Sequence, residues 1–124
     1  RRSSDLDAAA GVPLHILCSG PAGSVPDLVA RTVAEQLLAT FGQRALVDNW
    51  PGAAGLISVG ALKSAAADGS TLLLAQAANA TVYPWLYPKL AYDPVLDLAP
   101  VSLAGEMTLA LAVGRGLGPL PPGL

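Results

Sequence analysis

Charge, aromatic rings and sulfur are all scarce in this chain of 124 residues. Charged residues make up 13% and aromatic residues 5%, and there is one cysteine, one histidine and one methionine. Seven Lys and Arg stand against nine Asp and Glu, a net charge of −2, and no basic block exists beyond Arg1-Arg2. Nucleic-acid binding therefore has no electrostatic footprint, and single-strand binding has no stacking platform. The lone Cys18 has no partner for an internal disulfide, and no Cys/His cluster is available for a metal. A Ser-His-Asp triad would have to use His15 itself, and nothing beside it in sequence supports that role. Both His15 and Cys18 are read as residues buried in a strand. No apolar run approaches the ~20 residues of a membrane span. No catalytic residue, metal site or cofactor site is assigned.

What remains is enough to build a core: 52% of the chain is hydrophobic, which excludes a disordered chain. Residues 1–11 read as a leader remnant or a disordered N-terminus. Arg1-Arg2 hints at a twin-arginine signal, but Asp5 and Asp7 stand where its apolar region should be. Leu17-Cys18 is no lipoprotein cleavage site, because Leu17 is too large for the position before the cysteine.

Leu14 to Cys18 reads as a buried strand between Pro13 and Gly20. A turn-rich loop, Ser19 to Ser24, leads into a helix. Ser24 is placed to cap it, Asp27 to complete an S-x-x-D capping box, and Pro26 falls in the first turn. Val29, Val33, Leu37 and Phe41 then repeat at four-residue steps, with Ala30, Ala34 and Leu38 beside them, until Gly42 stops the helix.

Ala45 to Val47 is a second strand, Asp48 to Gly55 a second turn-rich loop, and a second helix follows through Ile57, Ala61, Leu62, Ala65 and Ala66. Thr71 to Ala75 is a third strand, apolar enough for the middle of a parallel sheet. Ala80 to Tyr87 is a helix shortened or broken by Pro84. Tyr92-Asp93-Pro94 is a turn, and Ala99–Leu103 and Met107–Val113 read as two further strands. This alternation predicts an α/β fold with a parallel sheet and helices on both faces. Residues 114–124, rich in Gly, Pro and Leu, read as a hinge or an abnormal tail.

In such a sheet, ligands bind beyond the carboxyl ends of the strands. That edge carries Ser19–Ser24, Asp48–Gly55 and Gln76–Thr81. The loops offer backbone amides at helix starts, the hydroxyls of Ser19 and Ser24, and Gln76, Asn79 and Thr81. None places a general base beside a nucleophile. The lining suits capture of a carboxylate rather than turnover. Each feature also has a plainer reading: Ser24 and Asp27 as a helix cap, Asn79 and Thr81 as turn residues, Asp48, Asp93 and Asp97 as solvated or turn-forming groups, and Trp50, Trp85 and Tyr87 as packing. Gly52 to Gly55 has neither a dinucleotide spacing nor a P-loop lysine.

At these loops the sequence resembles the tripartite tricarboxylate transporter receptors, the Bug proteins. Pro21-Ala22-Gly23-Ser24-Val25-Pro26-Asp27-Leu28-Val29-Ala30-Arg31 is similar to their P-A-G-G-x-x-D-x-x-A-R stretch. Val47 to Gly55 is similar to V-E-N-R-P-G-A-G-G, and Asp68 to Leu73 to D-G-Y-T-L-L. Leu86 to Pro94 resembles L-Y-x-K-L-P-Y-D-P, and Asp97 to Val101 resembles D-F-x-P-V. The blocks keep their order from about Leu14 to Val113.

The resemblance implies a two-lobed periplasmic receptor of type II topology that holds a small carboxylate between its lobes and delivers it to membrane permease subunits. It places residues 12–113 in a truncated first lobe. By the same resemblance the ligand is held by Ala22, Gly23, Ser24 and Asp27 in the first loop and by Ala77, Asn79 and Thr81 after the third strand. Departures from the family pattern bear on ligand preference: Ser24 stands for a glycine, Gly20 for an aromatic residue, Trp50 for an arginine, and Ala77, Ala78 and Asn79 for residues rich in hydroxyls. The expected partners are the carboxylate and the permease, with no nucleic acid and no insertion into the membrane. An isolated lobe is expected to self-associate through apolar faces at Leu72–Leu74 and the first helix. The competing readings are a non-binding remnant of such a receptor and a small α/β hydrolase.

Overall fold

Residues Leu14–Cys18 form the central strand, β1, of a three-stranded parallel sheet with strand order β2-β1-β3. The architecture is taken from a computed structural model that describes residues 12–112 and 114–118. The proposed leader at 1–11, Val113 and the end of the tail lie outside the described residues. In chain order the elements are β1, helix α1 (Val25–Phe41), strand β2 (Ala45–Asn49), a 3-10 turn (Ala53–Gly55), helix α2 (Leu56–Ser64), strand β3 (Thr71–Leu74), and the one-turn helices α3 (Ala78–Thr81) and α4 (Tyr83–Leu86). A second 3-10 turn, Arg115–Leu117, follows a long irregular stretch.

The first crossover runs from β1 to β2 and the second runs back from β2 past β1 to β3, and these opposite directions place their helices on opposite faces. On one face Ile16 and Cys18 pack against Ala30 of α1, with Val33, Ala34, Ala45, Val47 and Leu74 around them. On the other, His15 and Leu17 look toward α2, whose Val59 and Ser58 are fully buried. The result is the three-layer α/β arrangement that the alternation of elements predicts.

Helix α1 starts and stops where the sequence places its ends, but by different bonds. Gly42, at φ 66°, adopts the left-handed conformation, and its N–H and that of Gln43 close on the carbonyls of Leu38 and Leu37. The expected capping box does not form. Ser24 has the extended backbone of an N-cap, but its hydroxyl donates to the carbonyl of Pro21 at 2.6 Å. Asp27 reaches past Ser24 to the N–H of Gly23. The apolar stripe of α1 outruns the sheet, so Phe41 at its end is 73% exposed.

Several expectations need correction. The apolar strand β3 lies at an edge of the sheet, and β1 takes the middle. His15 is not buried: it faces the open part of the α2 side and touches Asp48, whereas Cys18 is fully buried as expected. Trp85, expected to pack, is 91% exposed. The helix anticipated over Ala80–Tyr87 is two single turns, parted at Val82 just ahead of Pro84. The strands expected at Ala99–Leu103 and Met107–Val113 do not form. From 98 to 112 the chain has no hydrogen-bonded element, and its residues from Ala99 onward are exposed. A strand is stable only when its N–H and C=O groups find a neighbour, and no described strand lies beside this segment.

Candidate functional site

All three strands point the same way, so the loops that follow them meet on one rim of the sheet. Backbone bonds draw the loops together: Ser19 N–H donates to the carbonyl of Leu74, and Trp50 N–H to that of Cys18. Asn49, the last residue of β2, locks the first loop to the second. Its amide donates to the carbonyl of Gly20 at 3.0 Å and to Asp27 Oδ1 at 2.9 Å.

Asp27 is the electrostatic centre of the first loop. Only 3% exposed, its carboxylate accepts from Gly23 N–H at 2.9 Å, Asn49 Nδ2 at 2.9 Å and Arg31 Nε at 3.1 Å. The Gly23 N–H, then the Asn49 amide, then Arg31 hold its pKa down at about 2. Asp27 thus stays ionised and supplies the negative charge that the start of α1 attracts. Its role is to brace the loop. Gly23, whose N–H is spent on this carboxylate, braces with it. At the same helix mouth the N–H groups of Ala22 and Val25 have no partner among the described residues, and Ala22 and Gly23 are exposed. Arg31 is tied to Asp27 and, at 3.4 Å, to Asn49 Oδ1. Any anion at this mouth would be held by backbone amides rather than by a free cation.

The second loop has an unusual backbone. Gly52, Ala53, Ala54 and Gly55 all have positive φ, at 119°, 47°, 54° and 89°. For the two alanines this conformation costs about 1 kcal/mol each. Tyr83 holds it in place by donating its hydroxyl to the carbonyl of Ala54 at 2.8 Å. At Gly55 a side chain is doubly excluded, by φ and by space: a Cβ would lie 3.0 Å from Asn79 Nδ2 and 3.4 Å from Ser19 Cβ. Ser19, Gly55 and Asn79 therefore meet where the three loops join.

Of the residues after the third strand, Asn79 is 2% exposed, and neither polar atom of its side-chain amide has a partner among the described residues. Such a group is rare enough to require an explanation. Its backbone carbonyl accepts from the buried hydroxyl of Tyr92, 2.5 Å away. Ala77 is exposed, and Thr81 returns its hydroxyl to the carbonyl of Ala77 at 3.0 Å. The structure thus gathers Ala22, Gly23, Ser24, Asp27 and Asn79 at the loop junctions, and uses Asp27 and Thr81 within the fold. Asn49, Tyr83 and Tyr92 were not singled out from sequence as site residues. From sequence Asn49 falls in the second loop, whereas the structure makes it the last residue of β2, from where it bridges to the first loop.

The hydrolase reading finds no support. His15 Nδ1 lies 3.4 Å from Asp48 Oδ2, and His15 lines an open concavity of about 390 Å³ with Leu17, Trp50, Ala61, Ser64, Ala65 and Thr71. Ser64 gives its hydroxyl to the carbonyl of Gly60, and no described hydroxyl bonds to His15. A nucleophile activated by a base is absent from the described residues. They also hold no cluster of ligands suited to a metal and no helix long and apolar enough to cross a membrane.

Comparison with known proteins agrees with this geometry. The model of the tripartite tricarboxylate transporter family receptor matches residues 29–117. A UPF0065 protein of Bordetella bronchiseptica is 41% identical over 102 residues, 82% of this chain and 30% of the relative. Protein BugT of Bordetella pertussis is 38% identical over 106 residues, 85% of this chain and 32% of its own length. Among solved structures, R. palustris Rpa4515 with adipate superposes with a TM-score of 0.62 at 25% identity, over 67% of this chain and 28% of that one. The chain thus spans about a third of the length of the relatives it matches. With its parallel sheet, its loops gathered on one rim and its ordered sequence blocks, it belongs to the tripartite tricarboxylate transporter receptor family, whose members are transport receptors and not enzymes.

Proposed function

We propose that this chain forms one wall of the ligand cleft of a periplasmic solute receptor, which binds a small carboxylate and presents it to the permease subunits of a tripartite tricarboxylate transporter. In this reading residues 12–113 belong to the first lobe, and the first loop and the loop after β3 face the ligand. The observation that carries it is the mouth of α1, where the N–H groups of Ala22 and Val25 have no partner among the described residues. Helix-start amides of this kind hold carboxylates without a cation. The adipate bound by the R. palustris relative supports a dicarboxylate as the class of guest.

Within the proposed site the residues divide by task. Ala22 and the neighbouring Val25 present backbone N–H groups to the carboxylate, Gly23 and Ser24 shape the loop that carries them, and Ala77 and Thr81 shape the opposite side. Asp27 fixes the first loop, and Asn79 supports the loop junction from beneath. The second reading, a lobe that keeps the fold without binding, is favoured by one observation: the carboxylate of Asp27 already occupies part of the α1 mouth.

The test is calorimetric titration of a chimera in which this chain replaces the matching stretch of the R. palustris protein. Heat on addition of adipate or another C4–C6 dicarboxylate or tricarboxylate is the expected result. A chimera that melts cooperatively yet gives no heat with any of them contradicts the proposal and favours the non-binding lobe.

A further inference from the structure

We infer that the second loop is a latched two-state element: Tyr83 holds Gly52–Gly55 in a left-handed turn, and its release lets Ala53 and Ala54 become right-handed while the buried amide of Asn79 gains a partner. The latched turn is costly at three residues. Ala53 and Ala54, at φ 47° and 54°, lie in the conformation that a residue with a Cβ avoids. The side-chain amide of Asn79, 2% exposed, has no hydrogen-bond partner among the described residues. These costs meet in one place. A Cβ on Gly55 would stand 3.0 Å from Asn79 Nδ2 and 3.2 Å from its Oδ1, so the amide lies against the Cα of Gly55. Gly55 offers it no polar group: its N–H donates to the Gly52 carbonyl at 3.0 Å, and its carbonyl accepts from the Ser58 hydroxyl at 2.7 Å.

Strained residues persist only where their surroundings over-determine them, and they collect in clamps and switches. Within this turn the bonds are local: Gly55 N–H to Gly52, Leu56 N–H to the Ala53 carbonyl, and Ser58 Oγ to Gly55. The described bond that reaches it from elsewhere in the chain is that of Tyr83, whose hydroxyl donates to the Ala54 carbonyl at 2.8 Å across 29 positions. Tyr83 is itself fixed. It is 9% exposed, and its ring meets that of Tyr87 edge-on at 5.2 Å.

The ends of the turn can follow a change of hand. Gly52 and Gly55, at φ 119° and 89°, flank the alanines, and glycine takes either sign of φ without steric cost. Turning the Ala54–Gly55 peptide withdraws the carbonyl from Tyr83 and brings a backbone polar group to the Asn79 amide. The relaxed turn thus exchanges the Tyr83 bond for an Asn79 bond and frees both alanines. Sequence tilts the balance the same way: the family pattern has glycine, which is indifferent to hand, at the position of Ala54. The loop lies on the rim beside the proposed carboxylate site, so its two hands present different backbone groups there.

Relaxation dispersion on the isotope-labelled full chain tests the latch with no ligand present, so its failure and a failed adipate titration are told apart. The amide signals of Ala53, Ala54 and Gly55 and the side-chain NH₂ of Asn79 are expected to exchange at one shared rate with a minor state of about 0.1–10%. The alanine carbon shifts of that state are expected in the right-handed range. Tyr83→Phe is expected to raise its population about 2- to 13-fold, the worth of one hydrogen bond. Ala53→Gly combined with Ala54→Gly, which keeps Tyr83, is expected to lower it at least about fivefold, because glycine is unpenalised in the left-handed turn. No exchange at the alanines, exchange that Asn79 does not share, or an unmoved population in the glycine pair would overturn the proposal, as would a folded Y83F chain with the wild-type population.

Discussion

The stretch from Leu14 to Leu74 and the stretch from Val95 to Ala112 are both rich in apolar residues, yet they end differently. In the first, Ile16, Cys18, Ala30 and Val59 are buried between a sheet and two helices. In the second, Val95, Leu96, Val101, Leu103, Met107, Leu109 and Leu111 are at least 65% exposed. Composition does not separate the two regions, but the neighbours do. Each strand of the first region finds a parallel partner in register, whereas the second finds none among the described residues. An apolar run contributes to stability only when another element covers it.

The largest effect expected from this contrast comes from making one kind of truncation in both regions. Ile16→Ala should cost about 2–5 kcal/mol, because it opens a cavity in the core. Leu109→Ala should change the unfolding of the monomer by less than about 0.5 kcal/mol. Urea denaturation, run below the concentration of any dimer, measures both. Equal losses would break the distinction.

Next in size is Tyr92→Phe. Removing the buried hydroxyl leaves the Asn79 carbonyl unsatisfied and should cost about 1–3 kcal/mol. Denaturant midpoints decide the matter, and an unchanged midpoint would remove Tyr92 from the account of the rim. Ala54→Gly runs the other way. It relieves a left-handed alanine, φ 54°, and restores the glycine of the family pattern, so the stability should rise by about 1 kcal/mol and the midpoint with it. A fall would show that the loop is not strained at Ala54.

The smallest effect at neutral pH belongs to the titration of Asp27. Its folded pKa, about 2, lies below the ordinary value of 3.8. A lowered carboxylate pKa stabilises the fold above the unfolded value, and that contribution is lost as pH falls from about 4 through 2. Asp27→Asn should flatten the stability profile in this window, with thermal melting as a function of pH as the measurement. An identical slope in wild type and D27N would assign the acid sensitivity elsewhere.

Much of this molecule is readable along the chain. Pro26 and Gly42 bracket α1, the alternation of elements gives the parallel sheet, and the glycine-rich loops fall together on one rim of it. The ordered sequence blocks identify the family. What escapes sequence is set by contacts distant in the chain. The amide of Asn49 reaches Asp27 across 22 positions, and the hydroxyl of Tyr83 reaches Ala54 across 29. The capping box fails for a similar reason: the spacing of Ser24 and Asp27 is right, but Gly23, Arg31 and Asn49 together offer the carboxylate better partners. The strand pattern at Met107–Ala112 is real as a pattern, and whether it pairs depends on a surface the segment itself does not contain.

The rim as an anion-holding wall is tested most directly by amide resonances of the ¹⁵N-labelled chain during titration with adipate. The account predicts that the N–H signals of Ala22 and Val25 move together and saturably, while those around His15 and Ser64 stay still. Movement confined to the His15 concavity, or no movement at the start of α1 up to millimolar adipate, would contradict it.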